Sequence, residues 1–322
     1  MLDFLPEAMR EPTVVAIPFF VTMVALEWLA AWKLDHTDAE RPSSRADGTL
    51  SERGSYNIRD SRASLLMGLV SIATSAGWKA LALLAYSAIF AYLAPWQLPE
   101  SAWYSWVIAF VGLDFLFYWE HRIAHRVRLV WATHQAHHSS EYFNFTTALR
   151  QKWNNSAGIL MWLPLPLLGV PPALVFAAYS LNLIYQFWIH TEHIGKLWAP
   201  VEFVFNTPSH HRVHHGSDAD YLDRNYGGTF IIWDRMFGTF APETHRPTYG
   251  LTKPVETYNI WRLQTHEYAA IAREVRHARG LRTRLGLVFG PPGWAPASAT
   301  RGEHGPHLTG SVVTVSDDSS KV

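Results

Sequence analysis

The sequence predicts an all-α integral membrane protein in which a helical membrane domain carries a polar, histidine-rich cap. Three observations predict it. Long apolar blocks alternate with polar, arginine-rich ones, although mean hydropathy over the 322 residues is −0.03. Aromatic residues make up 14% of the chain, including 15 Trp, a residue type that collects at membrane interfaces. Seventeen residues are His, and eleven of these fall between His121 and His215. The same composition sets limits. A formal net charge of zero gives no electrostatic case for a nucleic-acid partner. With no Cys, disulfides, thiolate metal sites and a Cys nucleophile are excluded.

The elements follow in order. The chain starts MLDFLPEAMREP, with acids and Pro where a signal peptide has a basic start, so the first apolar segment is expected to be retained. Residues 14–32 are apolar over about the 20 residues that a bilayer span needs. Glu27 interrupts them and is read as a carboxylate facing the interface, without a catalytic role. Residues 33–62 form a polar loop with six Arg or Lys. Residues 63–98 are apolar again, as one tilted span or two shorter helices, with Lys79 facing protein, water or the interface. Residues 103–119 give a third span that contains Asp114. Residues 157–168 and 173–189 are apolar legs broken by the prolines between 164 and 172, which predicts a re-entrant hairpin. Residues 190–254 are polar, 269–287 look like a basic amphipathic helix, and 291–322 read as a disordered tail behind a single membrane-embedded domain of residues 1–290. The expected architecture is therefore about three spans plus a re-entrant helical hairpin. The positive-inside rule puts the 33–62 loop, the histidines and the C-terminal part in the cytosol, at a bacterial inner membrane or a eukaryotic endoplasmic reticulum.

The chemistry sits in four histidine blocks: His121-Arg-Ile-Ala-His125, His134-Gln-Ala-His137-His138, His190-Thr-Glu-His193 and His210-His211-Arg-Val-His214-His215. Residues three and four apart share a helix face, so each block aims several imidazoles in one direction. Leaving aside His193 and His210, which are weaker candidates, nine imidazoles remain: His121, His125, His134, His137, His138, His190, His211, His214 and His215. One metal takes about four to six ligands, so nine predict a dinuclear site in the cap. Imidazole suits iron, zinc and copper alike. Asp114, Glu120, Glu141, Glu192 and Asp234 are candidates to orient the rings through hydrogen bonds. His36, His245, His266, His277, His304 and His307 lie outside any metal-spaced block and are read as ordinary side chains. Trp103, Trp106, Trp119, Phe143 and Trp153 are candidates to line an apolar route to the site.

At the stretches FYWEHRIAH, WATHQAHHSSEYFNFTTALRQ, YQFWIHTEHIG, NTPSHHRVHHG and NYGGTFIIWDRMFGTF, the chain resembles the fatty acid hydroxylase superfamily, which includes sterol desaturases. In motif text it is most similar to the alkylglycerol monooxygenase branch. The likeness runs over residues 56–240, with GPPGW at 290–294 also familial. The resemblance implies two iron ions held by the nine histidines, O2 as co-substrate, and oxidation of a lipid such as a fatty acyl chain, a sterol or an ether lipid. Zinc is the substitute occupant on overexpression. No haem, flavin or dinucleotide motif is visible, so an external electron donor is expected. Tetrahydrobiopterin is what the branch implies, but Arg126 stands where that branch carries an acid, which weighs against it and against ether cleavage. His193 is an addition to the branch's pattern. Oxygen insertion is the expected reaction, and lipid or sterol desaturation on the same fold is the alternative. A non-catalytic membrane metal-binding or transport protein is the rival class. It is disfavoured because the blocks stand at helix ends rather than within spans.

Overall fold

The apolar runs become helices in the computed structural model, which describes residues 12–37 and 55–296. Among these residues there is no strand. Only two isolated antiparallel bridges occur, Phe205 with Phe230 and Gly216 with Tyr249. The short α1 (Pro12–Val15) leads into α2 (Ile17–Thr37), and α3 (Ile58–Tyr92) and α4 (Trp103–Arg126) follow. Asn57 starts α3 by accepting the N–H groups of Arg59 and Asp60, which would otherwise go unpaired at a helix start. Among the described residues, α3 is the one helix long and apolar enough to cross a membrane by length and composition. At a rise of about 1.5 Å per residue, its 35 residues extend about 52 Å. The 33–62 loop, on which the expected orientation rests, lies mostly outside the described residues, as do residues 297–322 of the expected tail.

Beyond α4 the chain builds the cap and the hairpin. Helices α5 (Arg128–His138) and α6 (Phe145–Ala148) lie before the hairpin. The hairpin's first leg is itself broken, into α7 (Ser156–Met161) and α8 (Pro164–Leu167), and its second leg is α9 (Pro172–Trp188). Its turn does not stop partway along the bundle. The Leu98 N–H donates to the Gly169 carbonyl at 2.8 Å and the Trp96 indole to the Leu168 carbonyl at 3.0 Å, so the hairpin reaches the level of the α3–α4 connection. Gly169 has φ +80°, and a Cβ there would sit 2.3 Å from the Trp96 carbonyl oxygen, so this docking requires glycine. Ala82, Tyr86, Ala109, Leu113, Trp162 and Leu174 form the core between these helices. The small residues let the backbones approach, as in membrane helix packing.

The cap continues as α10 (Ala199–Val204), α11 (Pro208–His215) and α12 (Ile232–Met236), then α13 (Ile260–His277) and α14 (Leu281–Phe289). The single amphipathic helix expected over 269–287 is thus two helices, parted near Gly280, whose φ is +83°. Arg128 of α5 fixes α13 in place, with bonds to Glu267 at 2.7 Å and to Glu274 at 2.5 and 3.0 Å. A fully buried pair joins the cap to α3. Arg150 meets the Asp60 carboxylate at 2.5 Å and also bonds Ser64 and Ser139. Removing one member of such a pair strands a charge in a low-dielectric interior. Asp60→Ala is therefore expected to destabilise the protein by about 3–5 kcal/mol, and joint replacement of Asp60 and Arg150 by Leu and Met should recover much of the loss. Denaturant melts in detergent check this, and an unchanged midpoint for Asp60→Ala would contradict it.

Candidate metal centre

The nine histidines of the blocks converge at the ends of four elements and divide into two groups. His121, His125, His134, His138 and His214 place one ring nitrogen each within 4.8 Å of one another. His137, His190, His211 and His215 do the same. Each group could hold a metal ion. The division has a simple helical cause. On α5, His134 and His138 are four residues apart and point together, whereas His137 stands about 100° around the axis from His138. Helix α11 repeats the arrangement in reverse, with His211 and His215 in the second group and His214 in the first. Each triplet therefore serves both groups, rather than forming a three-toothed face for one ion. Helix α4 adds His121 and His125 to the first group, and His190 joins the second from just beyond α9.

The proton positions follow from the hydrogen bonds. A carbonyl only accepts, so a ring nitrogen facing one must carry the proton. Nδ1 of His121 donates to the Tyr226 carbonyl at 2.8 Å, His137 to Arg150 at 3.2 Å, His190 to Gln186 at 2.7 Å and His214 to Arg224 at 3.0 Å. In these four rings the lone pair is left on Nε2, which faces the interior of its group. His121 and His134 oppose Nε2 atoms at 2.9 Å, His134 and His138 at 3.0 Å, and His190 and His211 at 2.9 Å. Two nitrogens bound to one ion at about 2.0–2.1 Å, 90–105° apart, would lie about 2.9–3.3 Å from each other. Nε2 of His125, His214 and His215 is also buried and has no hydrogen-bond partner. The donor set fits a metal with nitrogen ligands.

Electrostatics agree with neutral rings. Burial, reinforced by the neighbouring rings, holds His134, His137, His138, His211, His214 and His215 well below the ordinary histidine range. Burial takes His190 down to about 4.

The acids expected to orient the rings do something else. Glu120 pairs with Lys152 at 2.7 Å, Glu192 with Arg246 at 2.8 Å, and Glu141 is exposed. Asp114 and Asp234 act one step further out. Asp234 accepts the N–H groups of Tyr226 and Gly227 at 2.8 and 2.7 Å, which aims the Tyr226 carbonyl at His121. Asp114 accepts from Thr229 and Phe230 in the same loop. A Cβ at Gly228 would lie 2.7 Å from Asn182 and 2.9 Å from Asp114, so glycine is what admits the loop here. Backbone carbonyls do most of the orienting, and residue types cannot announce them. The carboxylate beside a ring is Asp223, 3.7 Å from His125 Nδ1 and 3.0 Å from Arg126, in a left-handed conformation with φ +60°. Arg126 thus brings an acid to the first block from a distant loop.

His210 and His193 belong to neither group. His210 caps α11 together with Thr207 and lies 3.0 Å from Glu202. Burial pushes the Glu202 carboxyl up, but the bonds it accepts from His210, Leu197 and Thr207 outweigh this and bring it down to about 2. The backbone N–H of His193 donates to the Thr191 hydroxyl. Glu27, read as an interfacial carboxylate, is buried. It accepts from Tyr56 at 2.5 Å, from the Phe145 N–H at 2.7 Å and from Thr191, next to His190. Of the five aromatic candidates, Phe143 lies against the histidines, with its ring centre 5.0 Å from His215 and 5.7 Å from His190. Trp103 and Trp106 are exposed at the opposite end of α4, Trp119 packs on Phe237, and Trp153 on Trp261.

Residues 106–239 match the fatty acid hydroxylase family. The alkylglycerol monooxygenase of Danio rerio is 39% identical over 299 residues, covering 92% of this chain and 63% of that protein. The alkylglycerol monooxygenase of Homo sapiens is 36% identical over 324 residues, covering 100% of this chain and 68% of that protein. An ornithine lipid hydroxylase of Rhizobium tropici is 28% identical over 159 residues, 46% of each chain. No solved structure matches.

Neutral buried rings make a pH prediction. The folded-state pKa is depressed, so between about 6.5, the unfolded value, and the folded value the unfolded chain binds more protons. Stability of the metal-free protein should be fully present above pH 6.5 and fall as pH drops toward 4, where His190 titrates. Thermal melts of chelator-treated protein in detergent from pH 7.5 to 4.5 check it, and a flat profile would contradict it.

Proposed function

We propose, from the premise that this chain belongs to the fatty acid hydroxylase family, that it is a membrane-bound, O2-dependent, non-haem di-iron monooxygenase acting on a lipid. The observation that carries this reading is the division of nine converging imidazoles into groups of five and four. Such a centre supplies activation of O2 and attack on an unactivated C–H bond, which is chemistry of the metals rather than of side chains. The protein's part is to hold and shield. Carbonyls of Tyr226, Arg150, Gln186 and Arg224 lock the tautomers. Phe143 and Trp131 pack on the rings and exclude water.

The substrate we favour is an ether-linked or other long-chain lipid, because the relatives matching most of the chain are alkylglycerol monooxygenases. Oxygen inserted at the carbon beside an ether oxygen gives a hemiacetal, which collapses to an aldehyde and an alcohol. The second oxygen atom leaves as water, with two electrons and two protons from an external donor. Asp223, held by Arg126, supplies a carboxylate beside His125 although no acid follows the first block in sequence. Residues 1–290 act as one membrane-embedded domain with the histidines on the cytosolic side, α3 crossing the bilayer together with α2, α4 and the hairpin.

Two outcomes follow. Metal analysis of protein purified anaerobically after iron-replete growth should give close to two transition-metal ions per chain. His138→Ala should lower that content and abolish turnover, and His245→Ala should change neither. A ratio near one in the unsubstituted protein would contradict the dinuclear reading. Incubation with lipid under 18O2 should place one labelled oxygen atom in the product. Loss of two hydrogens without label would instead identify a desaturase.

A further inference from the structure

Residues 196–207 and 227–240, the two arms that flank the histidine helix α11 and its following loop, read as polar in sequence, yet they pack along the shafts of α4 and α9. Phe230 meets Phe110 edge-on at 6.0 Å, Phe205 packs on Phe230 at 5.5 Å, and Trp233 meets Phe115 at 5.2 Å. At about 1.5 Å per residue, Phe110 lies about 16 Å along α4 from His121, comparable with the half-thickness of a bilayer's hydrocarbon core, about 15 Å. The outward side of these arms is apolar. Trp198 is 74% exposed, Phe203 60% and Met236 67%. Exposed apolar positions continue along α4 at Ile108 and Val111, two turns and one turn before Phe115. Lys196 is exposed at the start of the first arm, and the Arg235 guanidinium folds back over Phe203 and Phe240.

The backbone of these arms is largely irregular, and in hydrocarbon every polar group of such backbone must be satisfied by protein. It is satisfied from within. Asp114 accepts from the N–H groups of Thr229 and Phe230 at 2.6 and 3.2 Å and from the Trp233 indole at 2.8 Å. The Asn206 amide donates to the carbonyls of Gly227 and Gly228 at 2.6 and 3.2 Å. The Ile231 N–H reaches the Val204 carbonyl, and Arg235 reaches those of Glu202 and Phe203. Pairing these buried groups accounts for an acid within the apolar run of α4.

We propose that residues 196–207 and 227–240 form a wedge seated in the bilayer leaflet nearest the histidines, with α10 and α12 presenting Phe203 and Met236 to acyl chains. The proposal rests on the reading of the chain as a membrane enzyme, and the test separates the two. The chain has no Cys, so Phe203→Cys, Met236→Cys, Leu84→Cys and Thr252→Cys each give one labelling site. Leu84 is 73% exposed on α3, and Thr252 is exposed in the cap. The full-length chain, spin-labelled in phosphatidylcholine nanodiscs and confirmed folded by its metal content, is probed by collisions with O2 and with a water-soluble nickel chelate. Labels at Phe203 and Met236 should lose nickel collisions and gain O2 collisions, as Leu84 does, whereas Thr252 keeps nickel. Nickel access at Phe203 and Met236 equal to that at Thr252, with Leu84 protected, would overturn the wedge alone. Nickel access at Leu84 as well would overturn both readings.

Discussion

Nine imidazoles, eight of them buried, face one another, and the rest of the cap is arranged around that constraint. Ring nitrogens opposed at about 3 Å must share either a proton or a cation, because two lone pairs at that distance repel. Burial makes extra protonation expensive, and a second proton beside the first more so. A cation can then be shared by the ring lone pairs, provided that every ring presents the correct nitrogen. That is why the hydrogen bonds behind the rings matter as much as the rings. Carbonyls of Tyr226, Arg150, Gln186 and Arg224 each leave one tautomer available.

Those carbonyls must themselves be held, and the buried ion pairs and acids do this. Asp234 and Asp114 hold the loop of Tyr226. Asp60 holds Arg150, whose own carbonyl meets His137. The turn after His190 is gripped from two directions. Glu27 reaches Thr191 from α2, and Arg212, itself bonded twice to Glu243, donates to the carbonyls of Thr191 and Ile194 at 3.0 and 2.7 Å. Helices α2 and α3 therefore take part in positioning the cap, although they supply none of its rings.

The legible part of this design was the part that repeats with helical period. His134, His137 and His138, and likewise His211, His214 and His215, declare a shared helix face. The apolar runs declared α2, α3, α4 and both hairpin legs, and the prolines between 164 and 172 declared the break. What stayed hidden depends on contacts between residues far apart in the chain. The 100° step within each triplet was there to be read, but which rings of other elements complete each group depends on the relative rotation of α5 and α11, which a single block does not contain. Asp223 meets His125 across 98 residues through a left-handed backbone position. Glu27 looked interfacial because its partners Tyr56, Phe145 and Thr191 lie in three other segments. The lining made by residues 196–207 and 227–240 was invisible for the same reason. Its apolar residues are scattered in sequence and gather only against α4.

The central claim is that the two groups of histidines are two metal sites of one centre. An anomalous difference map at the iron edge, from crystals of anaerobically purified protein, tests it most directly. The account predicts two peaks per chain, one enclosed by His121, His125, His134, His138 and His214, the other by His137, His190, His211 and His215. A single peak, or peaks bound elsewhere with these rings bonded only to one another and to water, would contradict it.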